Sequence, residues 1–424
     1  MCRRWRSLVF QSPRRLNLQL VCTPKTPVRD TLDIWPPLRL VIQDACDNDT
    51  LDVNNIIAAL EHNDRVSQIE LESFPLEYVA NSEAMQKPFP ELTRLKLGTA
   101  DKDGPILPNS FLGRSAPRLR SLELSNISFL RLPILLLSVT QLVFLQLYGV
   151  PNVGSGYVPP EVMATCLSTL TCLESLCLYF RYVRPVLESR RSSPPRLTRS
   201  IIPSLTKVLF QGKSEYLEQI LARIDAPRIN ELHITFFNQF MFDTPQLFQF
   251  ISQKPTLSAP EKGHIIFGSY IILIRFLSQT SDHGARVMDI TCSASELRQL
   301  SSFEQVNTSS LPYLSALEDL YIHESLISNP FWHDDVESTF CQLLRPFASV
   351  KNLYLAKEFV PRFAPALQEL VGGRTTEVLL TLENIFLEGF QASRPLHNGI
   401  ELFVAARRLT NRLVVVSCWD KDSE

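Results

Sequence analysis

One short phrase, L-x-x-L-x-L with close variants, recurs along most of this chain and constrains its fold more than any other feature. It reads Leu92-Thr-Arg-Leu95-Lys-Leu97, Leu119-Arg-Ser-Leu122-Glu-Leu124, Leu142-Val-Phe-Leu145-Gln-Leu147 and Leu173-Glu-Ser-Leu176-Cys-Leu178. It continues as Leu205-Thr-Lys-Val208-Leu-Phe210, Ile229-Asn-Glu-Leu232-His-Ile234, Leu317-Glu-Asp-Leu320-Tyr-Ile322 and Val350-Lys-Asn-Leu353-Tyr-Leu355. The first six phrases start about 23–32 residues apart. Alternation at the last two apolar positions suits a short strand with one buried face. Pro90, Pro117, Pro203 and Pro227 each stand two residues ahead of a phrase, where a residue without an N–H stops a preceding helix and spares the strand ladder.

Between the phrases lie amphipathic segments, with Val53, Ile56, Ile57 and Leu60 on one face and Leu217, Ile220, Leu221 and Ile224 on another. Thr244-Pro245 predicts a capped helix start, and Val336, Phe340, Leu343, Leu344 and Phe347 mark a further helix. A helix between successive strands makes each connection a crossover, so the strands run parallel. The fold class expected is α/β, a curved solenoid of the horseshoe kind. A compact doubly wound sheet would give the same alternation, but such folds spend glycines in ligand loops, and this chain has only 14 in 424 residues. Between about Ile234 and Leu317 the phrase decays, and the apolar run from Ile265 predicts continued strands there.

A formal net charge of −2 argues against general nucleic-acid or anionic-membrane binding, which relies on clustered Lys and Arg. The apolar stretches from Leu132 and Ile265 fall short of the roughly 20 residues that span a bilayer, and no apolar run follows Met1–Arg6. Nine dispersed cysteines, some in apolar settings such as Val414–Trp419, read as buried reduced thiols, so an intracellular location is expected, and the sequons at Asn48, Asn126 and Asn307 read as chance. No catalytic constellation emerges. Gly154-Ser155-Gly156 is not a nucleophile elbow, Cys166, Cys172 and Cys177 lack zinc spacing, and His333-Asp334-Asp335 reads as an acid-rich helix start. No enzyme activity and no cofactor are expected.

At its two ends the sequence resembles the F-box and leucine-rich-repeat proteins of mushroom-forming fungi. Cys2-Arg3-Arg4-Trp5-Arg6-Ser-Leu8-Val9 is similar to the last helix of an F-box, and Pro13-Arg-Arg-Leu16-Asn-Leu18-Gln-Leu20 to the first strand after it. Leu387-Glu-Gly389, Phe403-Val-Ala-Ala-Arg407 and Val414–Trp419 are similar to that family's closing segment. The resemblance implies an F-box remnant over residues 1–12 and an irregular repeat solenoid over 13–424, with a capping segment from about 376. It also implies that Cys2, Arg3, Trp5 and Leu8 touch the Skp adaptor of a cullin-RING ubiquitin ligase. The L-P-x-E-[IL] phrase that opens an F-box is not found before Cys2, so an incomplete adaptor surface is expected. The chain is then either a ligase substrate receptor or a repeat scaffold with no ligase link. The Asn or Cys usual eight residues after the first leucine is replaced by Ala100, Ile127, Val150 and Arg181, so irregular turns are expected.

If the second and third apolar positions face the core, the residues between them line the opposite side. There the candidate partner-binding positions are Arg94, Lys96, Glu123, Phe144, Gln146, Tyr148, Tyr179, His233, Tyr321 and Tyr354. Phe144, Tyr148 and Tyr179 are the expected aromatic anchors, with charged neighbours supplying specificity.

Overall fold

The computed structural model describes residues 18–34, 38–44, 52–72, 75–101, 104–151, 154, 156–181, 199–237, 244–254, 257, 260–268, 271–278, 286–293, 317–324, 344, 347–372, 378–390 and 396–420. Cys2, Arg3, Trp5 and Leu8, the His333-Asp334-Asp335 segment and most of the expected helix from Val336 lie outside them. The protein is α/β with a mostly parallel sheet, and its chain divides into two compact units. The first holds Met1–Val183, Leu197–Thr206 and Arg223–Pro227; the second holds Arg184–Arg196, Lys207–Ala222 and Arg228–Glu424.

In the first unit β1 (Gln19–Cys22), β2 (Arg39–Gln43), β3 (Val66–Leu71), β4 (Arg94–Gly98), β5 (Ser121–Ser125), β6 (Phe144–Val150) and β7 (Ser175–Phe180) lie side by side in chain order, each pair parallel. A separate parallel pair joins β8 (Ser200–Ile201) to a later two-residue strand at Ile224–Asp225. The phrase explains the register. Leu95, Leu122, Leu145 and Leu176 pair in one row and Leu97, Leu124, Leu147 and Leu178 in the next, all buried. Ahead of each phrase the chain makes a tight turn closed by the first leucine, as in Leu92 N–H to Phe89 C=O and Leu119 N–H to Ala116 C=O. Pro90 and Pro117 occupy the second position of those turns, where a fixed φ near −65° is already correct. These prolines therefore shape the turn; the short helices before them already end at Gln86 and Arg114.

In the second unit the strands are β9 (Lys207–Gly212), β11 (Glu231–Phe237), β12 (Lys262–Phe267), β13 (Ile271–Ser278), β14 (Arg286–Ser293), β15 (Asp319–Glu324), β16 (Asn352–Leu355), β17 (Asn384–Glu388) and β18 (Val415–Trp419), with β10 being the Ile224–Asp225 strand already described. Their spatial order is β9-β11-β14-β13-β12-β15-β16-β17-β18. The strands expected after Ile234 are present, but β13 runs antiparallel to both β12 and β14, so the expected parallel run is interrupted. Only residues 268–270 separate β12 from β13, far fewer than a parallel crossover needs, so a hairpin is the one connection possible. A ninth phrase, Leu382-Glu-Asn-Ile385-Phe-Leu387, builds β17 inside the segment that the resemblance assigns to a cap.

Helices connect the strands. Val53–Leu60 begins with Asp52 accepting from the Asn54 N–H at 2.9 Å and buries Ile56 and Leu60, while Val53 and Ile57 are half-buried. Thr244 makes no side-chain cap on the helix Pro245–Ser252, correcting the expectation from Thr244-Pro245. The buried carboxylate of Glu218, on the preceding helix Ser214–Leu221, accepts from the Gln246 and Leu247 N–H groups at 2.8 Å each. This tie between successive helices satisfies two of the amides that a helix start leaves unpaired and sets a negative charge against the positive end of its dipole. Glu218→Ala is expected to cost about 2 kcal/mol and Glu218→Gln about half of that, read from urea midpoints of the whole chain. No helix among the described residues is long and apolar enough to cross a membrane.

Candidate protein-binding face

Each unit carries a set of side chains on the side of its sheet away from the buried leucines. In the first unit Arg94, on β4, reaches Glu70 at 3.1 Å and Glu123 at 3.2 Å, and Lys96 reaches Glu72 at 3.0 Å. Its hydrogen bond to Glu72 holds the Lys96 ammonium above its usual range. Arg94, Lys96 and Glu123 thus sit on the expected side but are tied to one another and to neighbouring strands, and Glu123 is buried. That corrects its reading as an open contact: a carboxylate between two strand neighbours spends its lone pairs on Arg94 and Ser121. Phe144 and Gln146 are half-buried, while Tyr148 is exposed and leans on Tyr179 with ring centroids 5.6 Å apart. Tyr148 and Tyr179 pair directly across β6 and β7, which is how two aromatics far apart in the chain come to touch.

Sequence reasoning missed the side chain that steadies this turn region. Asn126 stands one place before the position where a repeat asparagine is usual, with φ +56°, and its amide donates to the Thr99 carbonyl at 2.9 Å. It supplies, from an offset position, one bond of the kind that the replaced repeat asparagine would make. Asparagine tolerates the left-handed backbone better than most residues, and that was the available signal.

The second unit aligns a longer row. Strand register places His233 beside Asp289, Asp289 opposite Arg275, Arg275 opposite His264, then His264 beside Tyr321, Tyr321 beside Tyr354 and Tyr354 beside Phe386. Paired residues share one face, so seven strands contribute to a single line of side chains. Its first part is ionic. Asp289 accepts two bonds from Arg275 at 3.0 Å each and lies 3.1 Å from His233 Nδ1, while Glu231 takes His233 Nε2 at 2.8 Å and Lys207 Nζ at 2.6 Å. Burial pushes Asp289 and Glu231 up, but their hydrogen bonds to His233 and the cations outweigh it and hold both carboxyls low. The Asp289 hydrogen bond raises His233 against its own burial. Both ring nitrogens of His233 lie within hydrogen-bond distance of a carboxylate, so the ring ties the two acids together.

The other part is aromatic. His264, Tyr321, Tyr354 and Phe386 stack face to face with successive centroids 4.5, 4.1 and 4.6 Å apart and interplanar angles of 9°, 8° and 9°. One row below, Asp319, Asn352 and Asn384 form a parallel ladder, the Asn352 amide donating to Asp319 at 2.7 Å and the Asn384 amide to Asn352 at 2.8 Å. Burial against this stack, with Arg275 and Lys262 nearby, drops His264 to about 4, so it is neutral at pH 7. Tyr321 is 1% exposed, correcting its reading as an open contact. The cause is Trp419 of β18, whose indole meets the Tyr321 and Tyr354 rings edge-on at 5.7 and 5.6 Å. Tyr354 and Phe386 remain half-buried.

The thiols divide similarly. Cys22, Cys166 and Cys177 are buried, and burial lifts Cys22 to about 11, leaving it inert. Cys418 is exposed, contrary to its apolar setting, because β18 turns only Trp419 fully inward. Among the described residues no group of three His, Cys, Asp or Glu side chains is placed to hold a metal ion. No protein-family model matches the sequence, and no curated protein matches it.

Proposed function

We propose that the chain recognises a protein partner through the row running from His233 to Phe386. The observation that carries this reading is the single line of side chains that passes from a fixed ionic network to a stacked aromatic group on one side of one sheet. Aromatic rings with limited side-chain freedom are efficient anchors, and charges locked by neighbours discriminate between partners and set orientation. Burying a flexible arginine at an interface costs side-chain entropy; Arg275, already held twice by Asp289, has much of that freedom removed before binding.

The likeness of Cys2–Val9 to an F-box helix supports a finer reading, in which the partner is the target of a Skp-cullin-F-box ubiquitin ligase and this chain is its substrate receptor. Affinity capture followed by mass spectrometry tests the recognition role. Tyr354→Ala with Asn384→Ala should weaken the captured partner at least tenfold, while Arg118→Glu, whose wild-type guanidinium pairs with Glu91 at 2.6 Å in the first unit, should retain it. Equal capture by all three chains would dismiss the face. Co-purification with the Skp adaptor tests the finer reading: adaptor binding supports a ligase receptor, and its absence leaves recognition without a ligase link.

A further inference from the structure

We infer that the indole-sized space bounded by Tyr321, Tyr354 and Ala356 is a binding site for a tryptophan on an extended segment of the partner protein, held in the unliganded chain by its own Trp419. The inference rests on the recognition role proposed above and specifies the partner's anchor. The site's present occupant identifies its chemistry. Trp419 is buried in a cluster with Tyr321 and Ala356, against which Tyr354 and Phe386 pack, and its ring meets two tyrosines at 61° and 69°, the edge-to-face arrangement that aromatic pairs favour. Ala356, one residue beyond β16, is fully buried, and so small a side chain leaves room that a larger one would fill.

Three features mark Trp419 as a replaceable occupant. It arrives from β18, the last strand in the sheet order, which pairs with β17 alone among the described strands. Of the five residues of β18 it is the one that is buried; Val415 and Cys418 are exposed and Val416 and Ser417 half-buried, so the ring is the main side-chain tie of that strand. Its Nε1–H is buried with no acceptor among the described residues, whereas a buried tryptophan ordinarily finds one, and this unmet donor offsets part of the gain from burying the ring. A partner segment that brings its own tryptophan can retain the edge-to-face contacts and add an acceptor for that donor.

The test uses the full chain and a fluorescent peptide with the sequence of residues 413–420. Trp419→Ala should bind this peptide saturably by anisotropy, wild type at least tenfold more weakly, and a peptide with alanine for tryptophan not at all. Absence of binding by a Trp419→Ala chain that melts like wild type overturns the site. Should that variant not fold, Ala356→Leu serves in its place: in protein labelled with 5-fluorotryptophan the Trp419 resonance should move to a solvent-exposed position, and an unmoved resonance overturns the site. Wild-type chains that dimerise by exchanging Trp419 would assign the site to a second copy and overturn the inference of a separate partner. If the peptide does not bind but partner capture still depends on Tyr354, the indole site falls and the recognition role stands.

Discussion

Replacing Arg407 with alanine is expected to destabilise the second unit by about 3–5 kcal/mol, the largest effect anticipated for any single polar residue in this protein. Arg407 lies on the helix Asn398–Leu409, is fully buried, and donates through Nη2 to the Val378 and Leu379 carbonyls at 2.7 Å each. Leu379 has φ +52°, a strained conformation for a branched side chain, so the guanidinium holds a turn the backbone would otherwise resist. Its guanidinium also lies over the Phe403 ring, the guanidinium carbon 5.2 Å from the ring centre. Alanine would remove this donor from both carbonyls, of which Leu379 keeps the Leu382 N–H at 3.1 Å, and would leave a space the size of a long side chain. Methionine separates these contributions. Arg407 Nε and Nη1 are buried without acceptors among the described residues, and burial, with Arg412 adding to it, lowers the group from its usual range. Arg407→Met removes those unmet donors while keeping most of the volume, so its cost should be only about 1–2 kcal/mol. Urea unfolding of both variants followed by circular dichroism checks the order; a methionine variant as unstable as alanine would show that the two carbonyl bonds, and not packing, dominate.

How far the sequence carried this result depended on whether a residue's task was local. The two leucine rows of the first unit were readable from Leu92-Thr-Arg-Leu95-Lys-Leu97 and its successors because alternation is a property of four or five residues. The hairpin from Ile265 was read as strand but not as a reversal of direction, since apolar runs carry no sign for parallel or antiparallel pairing. Tyr321 and Tyr354 were recognised as facing away from the core, yet Phe386 and His264, their stacking partners, were not joined to them. The ninth phrase at Leu382 is as local as the others, whereas the pairing of β12 with β15 is a long-range choice that no local pattern encodes. The closure of Tyr321 by Trp419 and the cap from Glu218 to the helix at Pro245 fall in the same class, each a long-range contact set by strand or helix order. His233 was visible as a surface histidine, whereas Asp289, which gives it meaning, lies in a stretch where the phrase is absent.

The Asp289→Asn substitution should expose that ionic network as a stability contribution with a defined pH window. The folded carboxyls of Asp289 and Glu231 titrate below their ordinary values of 3.8 and 4.5, so their contribution is present above those values and disappears as pH falls through the folded ones. His233 titrates above its ordinary 6.5, so its share is complete below 6.5 and disappears as pH rises through the folded value. Both shares are therefore complete together between about pH 4.5 and 6.5. Within that window Asp289→Asn is expected to cost about 2 kcal/mol, less than a fully buried pair would lose, because the Arg275 and His233 side chains are 41% and 29% exposed and water screens the charges that remain. Towards pH 3 the difference between wild type and variant should shrink as Asp289 takes up a proton. Towards pH 9 it should shrink only in part, since the Arg275–Asp289 bonds persist after His233 becomes neutral. In the variant His233 should titrate lower than in the wild type, because the Asp289 hydrogen bond is the largest influence raising it and burial opposes it. Urea midpoints across this pH range and an NMR titration of His233 measure the two effects separately. A stability difference that stays constant from pH 3 to 9 would mean that Asp289 acts by packing alone, and the ionic half of the row would then add no charge-dependent rigidity to the recognition face.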